Sequence, residues 1–375
     1  MKYDLLETIE ASDSQSAVAA FDKRVSEGGD PWEIHLSLFP TAQRVLNPPY
    51  INPHLPKMHA IYRGLAPRIE REDIAGLVRI EVSECARRPK MASTPARGSN
   101  SGTSSFDEIA SALSGDDPEK TARLMASFAE RKGMEELARR ILLLGSGYLK
   151  ESLGHSLSCT AFILIGAMAP GIRDPWPALY TLADYFHRGG FRDMPAMQTE
   201  PVSYEEMEGH LLRAASGRGL LNLHHTITIY AIESVSHIVT GEERNHLIRS
   251  WIAFMGEKEA QRIPGGDVLT GTLLGYPMFY ALAASLDSRA TLSGLCTLVH
   301  SEKDRARMAK YLIKAVCDLY QGNYNPHYLT GLGPALWVVD RFHESRRIVA
   351  NALYQYLDFL FTDIEPRLVN PPLDI

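Results

Sequence analysis

Apolar residues recur at helical spacing along most of the chain. The first such segment carries Leu5, Leu6 and Ile9, and similar segments follow one another between breaks rich in glycine and proline. No segment shows the alternation of a β-strand, a βαβ rhythm or a repeat of fixed period. The pattern therefore predicts a mostly α-helical fold, organised as a single large multi-helical domain over residues 1–375.

The most apolar long stretch covers residues 154–168. It contains one imidazole and one thiol, His155 and Cys159, which are four residues apart and so share one face of a helix. The stretch is too short, and too polar at its start, to span a bilayer. We therefore predict a buried helix, whose two polar groups need either hydrogen bonds or a metal because unsatisfied burial is costly.

The segment 87–105 contrasts with the rest of the sequence. It is built from serine, threonine, glycine, proline, asparagine and basic residues, and it has almost nothing to bury. This composition predicts a mobile surface loop or linker. A lid over a site is the alternative, because long loops often gate sites.

Composition and charge narrow the class of protein. The 375 residues are 45% hydrophobic and 22% charged, and the net charge of -6 offers no general attraction to nucleic acid or to an anionic membrane. The first ten residues lack the basic and apolar regions of a secretory signal. The cysteines are far apart without C-x-x-C pairing, which is typical of reduced thiols. We therefore expect a cytoplasmic protein without a nucleic-acid or membrane partner.

Histidines are the strongest candidates for chemistry. Several stand at or near predicted helix starts, directly after a break: His54 with His59, His155, His224 with His225, and His327. Imidazole is a common ligand of iron, copper and zinc, and helices can bring distant histidines together in a core. However, no H-E-x-x-H motif is present, and an isolated histidine usually finds a hydrogen bond instead. The other histidines have charged or helical-surface neighbours and are interpreted as solvated or structural: His35, His187, His210, His237, His246, His300 and His343.

Three segments, taken in order, resemble the questin oxidase-like family, which consists of helical oxidases of polyketide aromatics. They are residues 52–62, which carry His54 and His59, residues 154–159 with His155, and residues 325–330 with His327. A fourth element, from His225 to Thr228, is similar to an H-x-x-T motif in the middle of that family's sequences. Together the pieces cover roughly residues 45–345, although each motif is short.

The resemblance implies a mononuclear non-haem iron centre, with Fe(II) as the metal. It also implies O₂-dependent ring cleavage or Baeyer–Villiger-like oxidation of an aromatic, polyketide-like substrate. Carried over by position, the metal ligands and catalytic residues are His54, His155, His225 and His327. Some members of the family require NADPH, but no nicotinamide-binding motif is present in this sequence.

The sequence also departs from the family pattern. Cys159 stands where the family tends to have a second histidine, and Thr330 where it tends to have a lysine. In the first segment the family has a second histidine, and the residue at the corresponding position of this sequence is Lys57 or His59. Two alternatives therefore stay open: a metal-independent helical enzyme with His225 or His155 as acid or base on a polyketide-like ligand, and a non-catalytic helical binding protein.

Overall fold

The computed structural model describes most of the protein, and its regular structure is helical. The described residues are 4–91, 93–97, 105–257, 259–260, 275–295, 301–320 and 325–369. Within these ranges the only β-type pairings are two isolated bridges, Val45 with Lys90 and Asn47 with Tyr50. The prediction of a mostly α-helical fold is confirmed.

The described helices are numbered in order along the sequence. In order along the sequence they are α1 Leu5–Glu10, α2 Ser14–Ser26, α3 Pro31–Ser37, α4 Phe39–Arg44, α5 His54–Leu65, α6 Arg71–Arg87, α7 Phe106–Ala112, α8 Pro118–Lys132, α9 Met134–Ser146, α10 His155–Ala167, α11 Trp176–Gly189, α12 Tyr204–Ala215, α13 Gly219–Ser234, α14 Gly241–Met255, α15 Tyr276–Ala284, α16 Ser288–Gly294, α17 Glu302–Leu319, α18 His327–Thr330, α19 Leu332–Arg341 and α20 Arg346–Val369. A short 3₁₀ helix covers Ala66–Arg68.

The protein divides into two compact units. The first unit comprises Met1–Tyr62, Leu77–Pro201 and Ala231–Phe254, and the second comprises Arg63–Gly76, Val202–Tyr230 and Met255–Ile375. Four of the five boundaries fall inside helices, namely α5, α6, α13 and α14, and the fifth, between Pro201 and Val202, lies in the connection between α11 and α12. The sequence-based proposal of one domain over residues 1–375 stays a prediction.

Local sequence signals explain where several helices begin. The Asp30 carboxylate accepts the N–H of Trp32, and Pro31 occupies the first turn of α3. Asp117 caps α8 in the same way through Lys120, directly before Pro118. Both starts follow the breaks that the sequence indicates, because the capping carboxylates satisfy N–H groups that have no partner inside a helix.

Helix α10 lies in the core of the first unit, where it packs against α9 and α11. It begins after Gly154, whose φ of 78° favours glycine. Nearly every residue of α10 is buried, so the predicted buried helix is confirmed. A glycine of α9 allows the close approach of the two helices, since a Cβ at Gly145 would lie only 2.6 Å from the backbone oxygen of Ser156.

The second unit is organised around α20. This helix packs against α12, α16 and α19, while α17 packs against α15 and α19. Buried polar groups of α20 satisfy neighbouring backbone groups: Tyr356 donates its hydroxyl to the backbone oxygen of Tyr328 at 2.7 Å, and the Gln355 amide donates to the backbone oxygens of Ala214 and Gly217 at 2.9 and 2.8 Å. The two bonds of Gln355 satisfy carbonyls in and directly after the last turn of α12.

The segment 87–105 is described only in part. The Lys90 ammonium donates to the backbone oxygen of Cys85 at 2.8 Å, and residue 90 forms a bridge with Val45. The start of the segment is therefore tied to the first unit. Residues 92 and 98–104 of the predicted mobile loop lie outside the described residues. Among the described residues, no helix has the length and apolar character of a membrane span.

Candidate metal centre

Two histidines predicted as ligands meet inside the first unit. His54 begins α5 after the Asn52-Pro53 turn, and His155 begins α10 after Gly154. Their side chains are buried, their Nε2 atoms are 2.9 Å apart, and their ring planes are 87° apart. Turn and glycine signals thus place two imidazoles edge to face, although they are far apart in sequence.

The outer nitrogens of this pair are also bonded. The Nδ1 atom of His54 lies 2.9 Å from the side-chain nitrogen of Asn47, and Nδ1 of His155 lies 2.7 Å from the backbone oxygen of Ser152. Burial lowers the pKa of His155 to about 3, and the nearby charge of Lys57 adds to the effect. His155 is therefore an uncharged imidazole at neutral pH.

A second pair lies inside the second unit. His327 begins α18 and His224 lies in α13, and their Nε2 atoms are 3.0 Å apart with ring planes at 89°. The side-chain oxygen of Asn325 accepts the backbone N–H of His327 at 3.0 Å and its Nδ1–H at 2.8 Å. The amide nitrogen of Asn325 donates to Asp363 at 3.2 Å, which fixes the orientation of the amide.

The structure pairs His224, rather than the neighbouring His225, with His327. His225 is buried in the same helix, and its predicted role as a ligand stays a prediction. Thr330, which stands in the place of the family's lysine, is buried and donates its hydroxyl to the backbone oxygen of Pro326 at 3.0 Å.

The nitrogen–nitrogen distances suit two kinds of chemistry. A separation of 2.9 or 3.0 Å is typical of an N–H···N hydrogen bond. Two imidazole nitrogens that bind one metal at about 2.1 Å each, at a right angle, are also separated by about 3.0 Å. The buried histidines could therefore hold a metal ion with small movements of the rings.

Lys57 and Cys159 bring no anionic ligand to this region. Lys57 is fully buried and donates to the hydroxyl of Ser158 at 3.0 Å, and burial lowers the pKa of its ammonium to about 8. Burial raises the pKa of the Cys159 thiol to about 11. Cys159 is thus a thiol at neutral pH, as its apolar flank predicts, and metals bind the thiolate.

Sequence reasoning missed a second buried cluster in the first unit. The Glu81 carboxylate accepts from Nδ1 of His35 at 2.7 Å and from Nδ1 of His59 at 2.5 Å, and the two rings stack 4.0 Å apart. All three side chains are fully buried. Of the two interpretations of His35, solvated or structural, the contacts agree with the structural one. The carboxylate of Glu81, between Ile80 and Val82, was the signal that could have revealed a buried partner.

The charge of this cluster follows from its hydrogen bonds. Burial raises the pKa of the Glu81 carboxyl, but the charges and hydrogen bonds of His35 and His59 outweigh it and lower that pKa to about 2. These three residues also form a group that could hold a metal. Their nitrogen–oxygen distances of 2.5 and 2.7 Å are those of charge-assisted hydrogen bonds, so the carboxylate acts as an acceptor between two imidazoles.

Two further histidines have structural roles. His246 is buried, with Nε2 lying 3.0 Å from the Ser146 hydroxyl and Nδ1 accepting the backbone N–H of Gln198 at 3.0 Å, so it is not solvated. His187 lies 2.9 Å from the hydroxyl of Thr121. His300 lies outside the described residues.

Neither a family model, nor a curated protein, nor a solved structure matches the sequence. The resemblance to the questin oxidase-like family, and the activity it implies, therefore stay predictions that rest on the short motifs. The helical fold and the buried histidines stand independently of that resemblance.

Proposed function

We propose that this protein is a metal-dependent oxidoreductase whose metal is held by imidazole nitrogens. One observation carries the proposal: His155 and His327 each donate Nδ1–H to a fixed oxygen. Nε2 is therefore the atom with the electron pair that a metal would bind, and in the metal-free protein it faces the Nε2 atom of His54 or His224. An oxygen acceptor behind the outer nitrogen is typical of metal-bound histidine, because it sets the tautomer and the ring orientation. Both side chains are buried, which protects such a centre from bulk water.

The donor set favours a transition metal. Imidazole suits iron, copper, zinc and nickel, whereas magnesium and calcium prefer oxygen ligands. Within the first pair the nearby thiol of Cys159 stays protonated, so an all-nitrogen, uncharged protein ligand set results. We propose Fe(II), the metal that the family resemblance implies; bound iron would supply an open position for O₂.

The substrate class in this proposal is an aromatic or polyketide-like natural product. The reaction is oxidative ring cleavage or a Baeyer–Villiger-like insertion, and NADPH is the proposed electron donor by resemblance alone. The protein's own contribution is a set of uncharged imidazoles in a site removed from water, where electrostatic interactions are strong.

The metal-independent alternative places acid or base catalysis on His155 or His225. A pKa of about 3 leaves His155 without the imidazolium proton of a general acid, and makes it a weak base near neutral pH. This argues against His155 in that role.

Metal content tests the proposal. The purified protein is stripped of metal, loaded without oxygen with Fe(II), Mn(II) or Zn(II), and assayed by elemental analysis. We expect at least one metal per protein molecule, and a loss in His155→Gln and His327→Gln. His246→Gln, which removes a buried histidine with other partners, should bind as the wild type does. Sub-stoichiometric loading with all three metals would sink the proposal.

Oxygen uptake tests the reaction. The Fe(II)-loaded protein is mixed with hydroxylated anthraquinones, and O₂ consumption and products are followed. We expect uptake that depends on iron and yields an oxygen-inserted or ring-opened product. Turnover that survives chelation and anaerobiosis would favour the metal-independent enzyme.

A further inference from the structure

A continuous series of hydrogen bonds leads from a partly exposed arginine to the first histidine pair. The Arg88 guanidinium donates to the Glu84 carboxylate at 2.7 Å and to the side-chain oxygen of Asn47 at 2.5 Å. A guanidinium has donors only, so Asn47 must turn its oxygen toward Arg88. The amide nitrogen of Asn47 therefore points to His54.

The orientation of the Asn47 amide fixes which atom donates and which accepts in every later bond of the series. The Asn47 amide donates to Nδ1 of His54 at 2.9 Å, so Nδ1 is unprotonated and the ring proton is on Nε2. That Nε2–H donates to Nε2 of His155 at 2.9 Å. His155 can accept because its own proton is on Nδ1 and is donated to the backbone oxygen of Ser152 at 2.7 Å.

The reverse direction is excluded by two contacts. It would place the N–H of His54 against the N–H of Asn47, and the bare Nδ1 of His155 against the oxygen of Ser152. Two donors, or two acceptors, face to face lose the hydrogen bond at each place. The series thus has one direction when each ring carries a single proton.

We propose that Arg88 and Asn47 are positioning residues that fix the proton of His54 on Nε2. His155 then has the electron pair that a metal would bind, and the Nε2–H of His54 occupies that electron pair in the metal-free protein. His54 brings an N–H instead of a ligand atom. The tautomers stand on geometry alone, whereas the metal rests on the proposed function. The four-histidine ligand set predicted from the sequence is revised accordingly.

The proton positions of the second pair, His224 and His327, follow in the same way from the hydrogen bonds of Asn325. Asp363 accepts from the Asn325 amide nitrogen, so the Asn325 oxygen accepts Nδ1–H of His327. His327 consequently has its electron pair on Nε2, and the bond of 3.0 Å to His224 takes its proton from Nε2 of His224. Each pair thus combines one electron-pair donor, His155 or His327, with one N–H donor.

Nitrogen NMR of the metal-free protein tests the tautomers directly. The protein is labelled with ¹⁵N-histidine, and signals are assigned from single His→Gln variants at neutral pH. We expect His54 and His224 to be protonated at Nε2, and His155 and His327 at Nδ1. Protonation of His54 at Nδ1 would overturn the proposal, whether or not the protein binds a metal.

A charge variant tests the positioning role. Asn47→Asp provides a carboxylate that accepts from both Arg88 and His54, which moves the His54 proton to Nδ1 and leaves two electron pairs facing each other. Asn52→Asp is the matched control, because Asn52 carries the same side chain in the same turn and accepts from the Tyr185 hydroxyl instead.

Zn(II) titration, with circular dichroism to verify folding, gives the readout. We expect Asn47→Asp to bind Zn(II) about tenfold more tightly or better, the scale on which outer partners of a ligand act, and Asn52→Asp to match the wild type. Unchanged affinity in a folded Asn47→Asp would contradict the positioning role. If the NMR tautomers are as stated and the wild type binds no metal, only the proposed function fails.

Discussion

Replacing Glu81 by glutamine should strongly destabilise the protein. The carboxylate is fully buried and accepts the Nδ1 protons of His35 and His59. Glutamine keeps the shape but removes the charge, and it presents an N–H to one of the two rings. One buried imidazole then loses its acceptor, and any charge it carries loses its partner.

Two independent arguments give the same order of magnitude for the loss in the free energy of unfolding. Removing one partner of a buried ion pair costs about 3–5 kcal/mol. The pKa of Glu81 falls from 4.5 to about 2 on folding, and a shift of this size corresponds to a contribution on the order of 3 kcal/mol to the free energy of unfolding. We therefore expect a loss of about 3 kcal/mol in Glu81→Gln at pH 7.

The lowered pKa of Glu81 also makes the stability of the protein depend on pH. Because the folded-state pKa is lower than the unfolded one, the contribution of Glu81 is fully present above pH 4.5 and is lost as the pH falls toward 2. The acid-induced loss of stability in that window should be smaller in Glu81→Gln than in the wild type.

Equilibrium unfolding in urea, followed by circular dichroism at pH 7 and at acid pH, measures both effects. Glu130→Gln is the control, because Glu130 forms an exposed ion pair with Arg97 and such pairs contribute about 0–1 kcal/mol. A loss below about 1 kcal/mol in Glu81→Gln would refute the view that this carboxylate carries a buried charge between the two histidines.

Two other buried features give further predictions, each measured by urea unfolding. Lys57→Met should raise the free energy of unfolding at pH 7. Burial lowers the pKa of Lys57 to about 8, so its buried charge destabilises the folded protein at pH 7, and this cost is relieved only as the pH rises from about 8 toward 10.5. Equal stabilities of the variant and the wild type at pH 7 would contradict this. Gly145→Ala should cost about 1–3 kcal/mol through the clash with Ser156. Gly209→Ala, with open space around it in α12, should be neutral or stabilising by up to about 1 kcal/mol; a smaller loss for Gly145→Ala than for Gly209→Ala would contradict the packing argument.

The helices were accessible from the sequence because their signals are local. The cap and proline at Asp117-Pro118 and the glycine before His155 each act within one turn of the helix that they start. The buried nature of α10 also follows from its own residues. The division into two units was not predicted, because four of its five boundaries fall inside helices such as α5, where no linker signal exists.

The candidate site was accessible only in part. His54, His155 and His327 stand out because each begins a helix after a break. The choice between His224 and His225 could not be made, since adjacent residues on a helix face different directions and only tertiary contacts decide which one meets His327. The Glu81 cluster was missed for the same reason: the apolar neighbours of Glu81 indicate a buried carboxylate, but His35 and His59 belong to other helices, and only tertiary contacts decide that they meet it.

X-ray absorption of the Fe(II)-loaded protein tests the central claim most directly. If the histidines hold the metal, the spectrum shows imidazole scattering in the wild type, and that scattering decreases in His155→Gln and in His327→Gln but not in His246→Gln. A shell of oxygen atoms alone, identical in all four proteins, would contradict the account.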